Sequence, residues 1–476
     1  MRNLFLISIL ALFVFLQING EKVPVNEGAI GDGVFYREVA QNFLSDIENA
    51  SYNLVQLTRI LPFALLNLSF SAFHLTKDNQ GLLNGMIIWQ VIYLALAVYW
   101  YFRICKKLRL KISQVTIGFI LLFFNYTLLK SVWYHPFTPD LLAFAFGMGQ
   151  MNYFLRYEKY KLGMISILGI FVSPLVVISG LVMLFLPGDK LPIFEGERSK
   201  SAFPVVLSFL TVLILALAGW LIWSWSTDPV LDQIMHGTAI LFVPVLIIYV
   251  AIKNTLDWDQ AVIQLKKKVK VDRLSKGMMG MMAILLILVM LSGNNSGLGV
   301  FSFLRDTASG AFRFPADFII SSTLQWGIAF LFTLIYMSRF LQEMGKLGWA
   351  ACLIIMLGMV LLPFIKPAAL APWIPIWIVI LIKAVKRYRW ENKDLIIDGA
   401  LACFTSLAWL GINSDSLLTY LGDGDSELLS SFAVQKWAIH QPEVISFAML
   451  LASALILALL GAYFYFRRKR YQRIMG

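Results

Sequence analysis

The chain has 476 residues, of which 59% are hydrophobic and 14% charged, and its mean hydropathy is +0.74. An average soluble protein has roughly 25% charged residues, so this composition excludes an ordinary soluble domain. The net charge of +12 does not indicate nucleic-acid binding, because the basic residues form short clusters between apolar segments, where cytoplasmic loops and anionic lipids account for them. The three cysteines have no metal-binding spacing.

The apolar segments reach membrane-spanning length and predict an all-α polytopic membrane protein with about fourteen transmembrane helices. The first segment, 4–18, is interpreted as a retained anchor, and a cleaved signal peptide is the alternative. Residues 56–75 are predicted to lie along the outer interface, or to dip in and return, within a long first external loop at 19–81. The remaining predicted spans are 82–102, 114–132, 140–155, 162–173, 175–187, 203–223, 238–252, 278–292, 326–341, 348–364, 372–385, 395–412 and 444–466.

Four clusters of Lys and Arg set the predicted orientation of these spans. The clusters lie at 103–111, 266–273, 383–389 and 467–473. All four fall in the cytoplasm, as the positive-inside bias requires, if 56–75 does not cross and if the segments on either side of Pro174 are separate spans. Both termini are then cytoplasmic.

The predicted topology divides the chain into two membrane halves. Residues 1–252 form the first half, with the external loop 19–81, and residues 253–476 form a second, variable half with external loops 293–325 and 413–443. Nearly all loops that mix acidic residues, histidine and arginine are external, whereas the cytoplasmic loops are basic. This asymmetry favours an enzyme that acts on the external face, whether periplasmic or lumenal.

The first external loop contains an acidic residue between two glycines, Gly31-Asp32-Gly33. Glycine lets the backbone approach a ligand closely, and the carboxylate of Asp32 would face the aqueous compartment at the bilayer edge. The alternative is an ordinary acidic turn, in which Asp and Gly are common. The sequence contains no P-loop, no His-Glu-x-x-His zinc motif and no Gly-x-Ser-x-Gly motif.

Three short motifs together resemble the GT-C superfamily of membrane glycosyltransferases. They are Gly-Asp-Gly-x-Phe-Tyr-x-x-x-Ala at 31–40, Leu-Thr-Arg-Ile-Leu-Pro at 57–62 and Pro-Phe-Thr-Pro-Asp at 136–140. The resemblance covers the chain to about residue 250, and it implies transfer of a sugar from a polyprenyl-phosphate-linked donor to an acceptor. It also implies that Asp32 is the acidic residue of the first external loop and Asp140 a second one. The first external loop contains no Asp-Glu pair of the kind that protein O-mannosyltransferases carry there. The resemblance therefore does not identify the acceptor.

Sugar transfer of this kind needs a general base for the attacking hydroxyl and positive charge for the leaving phosphate. Asp32 and Asp140 are therefore the candidate catalytic residues. The candidate substrate-binding residues are Arg59, His135, Arg305, Arg313, Glu38 and Lys130. Each has an ordinary alternative: the arginines snorkel or pair with nearby acids, Lys130 anchors a helix at the interface, and His135 is structural. No cofactor is certain, and a divalent metal ion is left open.

Two other functions stay open beside a glycosyltransferase. One is a transporter or flippase of a lipid-linked saccharide, and the other is a polymerase or ligase of lipid-linked glycans. A transporter keeps ionisable residues at mid-membrane, whereas here they cluster at the predicted outer edge. The expected partners are a lipid-linked sugar donor and membrane lipids, with no nucleic acid. The sugar and the oligomeric state are not predicted.

Overall fold

The computed structural model describes residues 2–49, 52–193, 248–268, 271–292, 317–362, 367–386, 390–413 and 458–467, with a few isolated positions beside them. The chain is mostly helical, 78%, and the described residues form no strand. An isolated antiparallel bridge joins Ile193 to Leu256. The predicted all-α class is thereby confirmed.

The helices follow one another with short connections. In chain order they are α1 (Arg2–Ile18), α2 (Asp32–Glu48), α3 (Leu54–Leu57), α4 (Leu61–Ala72), α5 (Asn79–Lys107), α6 (Ile112–Phe123), α7 (Val132–Tyr134), α8 (Asp140–Arg156), α9 (Lys159–Leu168), α10 (Pro174–Phe185), α11 (Trp258–Lys268), α12 (Val271–Leu291), α13 (Asp317–Trp326), α14 (Ala329–Ile335), α15 (Met337–Lys346), α16 (Trp349–Leu361), α17 (Ile374–Val385) and α18 (Asn392–Thr405). A π-helical segment, Thr127–Ser131, precedes α7. Residues 248–253 and 458–467 are also helical.

Among the described helices, α5 is long and apolar enough to cross a membrane, with a mean hydropathy of 1.8 in its most apolar stretch. α6 and Thr127–Tyr134 pass the same test together, but the chain bends by 62° between them. The apolar helices α1, α4, α10, α16 and α17 are shorter. The predicted spans 203–223 and most of 238–252 and 444–466 lie outside the described residues.

Local sequence explains where several helices begin. The side chain of Asp78 accepts a hydrogen bond from the backbone N–H of Gly81 at the start of α5, and two lysines occupy its last turn, where cations interact favourably with the helix dipole. Proline stands in the first turn of α4, α10 and α17, where its missing N–H has no cost. Ser173 caps α10 by accepting the N–H of Leu175, so α9 and α10 are separate helices.

One hydrophobic core runs through the described part of the chain, from Leu6 in α1 to Phe464 near the C-terminus. α5 packs along α8, and α17 packs against α6 and α8. The backbones come very close where α8 meets the start of α17, since a Cβ on Gly147 would lie 2.0 Å from the carbonyl oxygen of Pro372. α18 packs against α6, so helices of both predicted halves, 1–252 and 253–476, share this core.

The connections between helices meet in two groups at opposite ends of α5, α6 and α8. The first group, which we call the Asp32 end, includes the start of α5, the start of α8 and the contacts of Gln17 with Ala408, of Val23 with Tyr134 and of Trp326 with Pro367. The second group, which we call the Glu343 end, includes the other ends of these helices and the ion pair of Glu343 with Lys383. It also includes the contacts of Arg103 with Glu158, of Gln114 with Lys386, of Leu191 with Gly345 and of Trp349 with Pro187.

Candidate active site

Asp32 is the first residue of α2 and lies at the Asp32 end. The preceding Gly31 has φ +55° and ψ −127°, a conformation that residues with a side chain rarely adopt, so this entry into the helix favours glycine. The side chain of Asp32 is 81% exposed. Its carboxylate is therefore accessible to a ligand.

Gly33 leaves room for the imidazole of His135 to lie against α2. A Cβ on Gly33 would lie 2.3 Å from Cε1 of His135, far inside contact distance. The imidazole is also held by the carbonyl oxygen of Ile30, which lies 3.1 Å from Nε2. The second glycine therefore brings the histidine of the 134–140 turn beside Asp32.

The turn that carries His135 is fixed from α5. Gln90 is fully buried, and its amide nitrogen donates to the carbonyl oxygens of Pro136, at 2.9 Å, and Thr138, at 3.2 Å. Asp140 follows this turn directly and begins α8. The position of both His135 and Asp140 thus depends on one buried side chain of α5.

Arg59 reaches the same space from the short connection between α3 and α4. A terminal guanidinium nitrogen of Arg59 lies 3.8 Å from Oδ2 of Asp32, and the guanidinium is close enough to the hydroxyl of Tyr36 for each group to shift the pKa of the other. Tyr36 stands one helical turn after Asp32 on α2 and is buried. Its ring stacks on Phe63 of α4, with 4.4 Å between the ring centroids.

Neighbouring groups keep Arg59 in its charged form. Burial alone would lower the pKa of Arg59, but Tyr36 and the carboxylates of Asp140 and Asp32 raise it above its ordinary value. Burial raises the pKa of the Tyr36 hydroxyl, although the nearby Arg59 opposes this. The charge of Asp140 acts on both Arg59 and Tyr36, so its carboxylate belongs to the same group of residues.

His135 is a neutral hydrogen-bond acceptor in this environment. Burial lowers the pKa of its imidazole, and the Ile30 carbonyl and the charge of Asp32 offset this only in part. A carbonyl oxygen cannot donate, so Nε2 carries the proton and Nδ1 is left with a lone pair. Nδ1 is buried and has no hydrogen-bond partner among the described residues.

We call these five residues the Asp32 cluster: Asp32, Tyr36, Arg59, His135 and Asp140. Two carboxylates and one guanidinium give it a formal charge of −1, with the imidazole neutral. The carboxylates can accept a proton from a hydroxyl group, and the guanidinium can stabilise negative charge that develops nearby. The cluster therefore has the groups needed to activate a nucleophile.

Lys130 lies in a separate group of charges at the same end. It is buried, 4% exposed, in the π-helical segment before α7, and its ammonium bonds Oε1 of Glu21 at 2.9 Å. Glu21 also accepts the backbone N–H groups of Ile412 and Asn413. These bonds lower the pKa of Glu21 against the opposing effect of its burial. Lys130 thus joins three segments of the fold, and no described contact links it to the Asp32 cluster.

The structure brings together four of the eight predicted site residues: Asp32, Arg59, His135 and Asp140. Glu38 is exposed on α2, and within the described residues no hydrogen bond or ion pair connects it to the cluster. Arg305 and Arg313 lie outside the described residues. Their predicted roles are therefore not addressed by the geometry.

Sequence reasoning missed two residues that shape the cluster. The sequence pattern could have indicated Tyr36, because a residue four positions after Asp32 shares its helix face. It could also have indicated Gln90, since a neutral polar side chain in an otherwise apolar segment needs hydrogen-bond partners. Neither signal says which turn the side chain would contact, because that depends on how α2, α5 and α8 pack.

Within the described residues, no group of three His, Cys, Asp or Glu side chains is arranged to hold a metal ion. Comparison of the chain with protein-family models, with curated proteins and with solved structures finds no significant match.

Proposed function

We propose that this protein is a polytopic membrane glycosyltransferase of GT-C type, which moves a sugar from a polyprenyl-phosphate donor to an acceptor hydroxyl on the external face. The observation that carries the proposal is the convergence of the three motif segments. Residues 31–40, 57–62 and 136–140 are far apart in sequence, yet the carboxylates of Asp32 and Asp140 both act on the guanidinium of Arg59. The motifs that carry the resemblance thus contribute to one candidate site.

The chemistry assigns a role to each part of the cluster. The acceptor hydroxyl oxygen attacks the anomeric carbon of the sugar, and the bond from that carbon to the phosphate oxygen breaks, with its electron pair leaving on the phosphate. Asp32 takes the proton of the hydroxyl, and Asp140 supplies the second carboxylate of the cluster. Arg59 offsets the charge that develops on the phosphate. His135 holds the turn before Asp140 against α2 through its bond to the carbonyl oxygen of Ile30.

We further propose about fourteen membrane-spanning helices, with both termini cytoplasmic and the Asp32 cluster on the external side. Contacts between connections support this arrangement. At the Asp32 end they join segments that the sequence predicts to be external or at the outer ends of spans, such as 19–36 with 134–140. At the Glu343 end they join predicted cytoplasmic segments, such as 103–113 with 156–161.

A transfer assay tests the proposed reaction. The purified full chain is incubated in detergent or in liposomes with a short-chain polyprenyl-phosphate sugar labelled in the sugar, and the release of label from the lipid is followed with a panel of acceptors. We expect labelled product and free polyprenyl phosphate in equal amounts. Donor that crosses the bilayer of a sealed liposome with its sugar still attached would support a flippase in place of a transferase.

A further inference from the structure

A cavity lies at the Glu343 end, away from the residues of the Asp32 cluster. It has a volume of about 570 Å³ and opens between three helical segments: 248–253, 334–338 and 461–466. Its walls are mainly apolar and aromatic, and the charged group on its lining is the ammonium of Lys253. Ligand pockets commonly have volumes of about 300–1,000 Å³, so this space suffices for a molecule of moderate size.

The walls of this cavity are tied to the helices around α14. The hydroxyl of Tyr249 donates to the carbonyl oxygen of Leu334 at 2.7 Å, which holds 248–253 in place. On the other side, Phe464 packs on Phe332 with 4.7 Å between the ring centroids. The two walls are thus anchored to the same helix, and the space between them is built into the fold.

The helix 458–467 has a further anchor at its C-terminal end. Both terminal nitrogens of Arg467 bond the carboxylate of Asp398, at 2.7 and 2.9 Å, and Asp398 is fully buried. A bidentate pair of this kind fixes the orientation of both side chains. Gly461, which faces the cavity, leaves open space, since a Cβ there would meet no atom within 4 Å.

The rim of the cavity combines a cation with aromatic rings. The ammonium of Lys253 lies 5.8 Å from the ring centroid of Tyr249, and among the described residues no carboxylate pairs with it. Tyr465 and Phe466 are 45% and 66% exposed beside it. Aromatic side chains are enriched at the membrane interface, where headgroups meet acyl chains.

We propose that this groove binds one anionic phospholipid of the cytoplasmic leaflet, with an acyl chain along the apolar walls and the phosphate on Lys253. Basic pockets between membrane helices on the cytoplasmic side suit anionic headgroups. The charge favours an anionic occupant, because a phosphate would lie against the ammonium of Lys253, with which no carboxylate pairs among the described residues. The proposal rests on the proposed membrane orientation and does not depend on the transfer reaction.

Two variants test the groove by independent means. Gly461→Leu fills the open space without a change of charge, and Lys253→Gln removes the cation but keeps a polar, unbranched side chain. The full chain in mild detergent is titrated with dioleoyl phosphatidylglycerol or dioleoyl phosphatidylcholine, and bound lipids are counted by native mass spectrometry. We expect the wild type to bind one phosphatidylglycerol at least tenfold more tightly than phosphatidylcholine. Gly461→Leu should weaken both lipids, and Lys253→Gln should abolish the preference.

Each variant has a matched control elsewhere in the chain. Gly163→Leu adds the same side chain at a glycine of α9 that also faces open space, and Lys266→Gln removes one charge from the exposed end of α11. Both controls should bind phosphatidylglycerol like the wild type. Equal affinity of the wild type for the two lipids, or unchanged binding by Gly461→Leu, would overturn the proposal. If Lys253→Gln fails to fold, Gly461→Leu decides alone.

The outcome can be separated from that of the transfer assay. Labelling that places residues 253–277 on the external side would remove the orientation on which the groove rests. Absence of sugar transfer would leave lipid binding at the groove unchanged.

Discussion

The two ends of the helical assembly hold their charges in different ways. At the Glu343 end, Asp398 is fully buried, and Arg467 meets it with two hydrogen bonds of 2.7 and 2.9 Å. At the Asp32 end, the nearest guanidinium nitrogen of Arg59 is 3.8 Å from the carboxylate of Asp32, which is 81% exposed. The first pair is buried, whereas the second is exposed on the side of its carboxylate.

This difference separates charges that stabilise the fold from charges that can act on a ligand. Removing one partner of a buried pair leaves an uncompensated charge in an apolar place, which is strongly destabilising. An exposed carboxylate with a loose partner contributes little to stability, but it can exchange that partner for a substrate. Substitutions at the two ends should therefore affect different measurements.

The largest effect concerns the side of the membrane on which each end lies. Single cysteines at Lys107 and Ser426 should react on opposite sides of sealed membranes, Lys107→Cys only after permeabilisation and Ser426→Cys before it. The reason is that 103–113 is a basic loop, predicted to be cytoplasmic, whereas 413–443 is predicted to be external. Labelling of both positions by an impermeant maleimide from the same side would contradict the proposed topology.

The next effect is on turnover. Asp32→Asn keeps the size of the side chain but removes its charge and basicity, and loss of a general base typically lowers a rate by ~10²–10⁴-fold. The free energy of unfolding should change by less than about 1 kcal/mol, which is the usual interaction of such a charge with a helix N-terminus. The measurements are the transfer rate and denaturation in detergent.

Glu48→Gln is the control for this variant. It removes a carboxylate from the last residue of the same helix, roughly 24 Å from Asp32 at 1.5 Å per residue, and it should leave the transfer rate unchanged. Full activity in folded Asp32→Asn protein would refute the assigned base and leave Asp140 as the carboxylate that could take the proton.

At the Glu343 end we expect a large effect on stability and little effect on the transfer rate. Arg467→Met leaves Asp398 buried without its partner, and breaking a buried pair costs about 3–5 kcal/mol of stability. The transfer rate per folded molecule should stay near that of the wild type. Denaturation of the purified protein in detergent, followed by tryptophan fluorescence, measures the loss.

Arg103→Met provides the matched comparison at the same end. Arg103 is 3.9 Å from Glu158, and both side chains are partly exposed, so the cost should stay below about 1 kcal/mol. Equal destabilisation by the two variants would show that burial does not distinguish these pairs.

Much of the helix pattern could be predicted from the sequence. α5 and α8 start within three residues of the predicted spans 82–102 and 140–155. These spans were predictable because an apolar segment of this length indicates a helix. The break at Pro174 follows from the missing N–H of proline. Two short helices, α3 and α4, lie on either side of Arg59 where the sequence predicts an interfacial stretch at 56–75.

The site could be predicted only in part. The motifs predict Asp32, Arg59 and Asp140, and the position next to the third motif predicts His135. Nothing in the sequence gives the distances among them, since these depend on how α2 and α4 pack beside α5. Lys130 shows the limit most clearly. A lysine at the end of a predicted span looks the same in sequence whether it faces a ligand or, as here, pairs with Glu21, 109 residues away.

The smallest of the expected effects concerns Gly33, which sets the contact between α2 and His135. In Gly33→Ala, the new methyl group would lie 2.3 Å from Cε1 of His135, so the imidazole must move away from α2. Misplacement of a site group by about 1 Å can cost ~10²-fold in rate, and we expect a loss of up to this size because His135 does not itself take the proton. Gly163→Ala in α9 is the control, since its methyl group meets no atom within 4 Å, and it should stabilise the helix by up to about 1 kcal/mol without change in activity. If the transfer rate of Gly33→Ala equals that of Gly163→Ala, the contact between Gly33 and His135 has no part in the reaction. The charged residues of the Asp32 cluster would then act without His135.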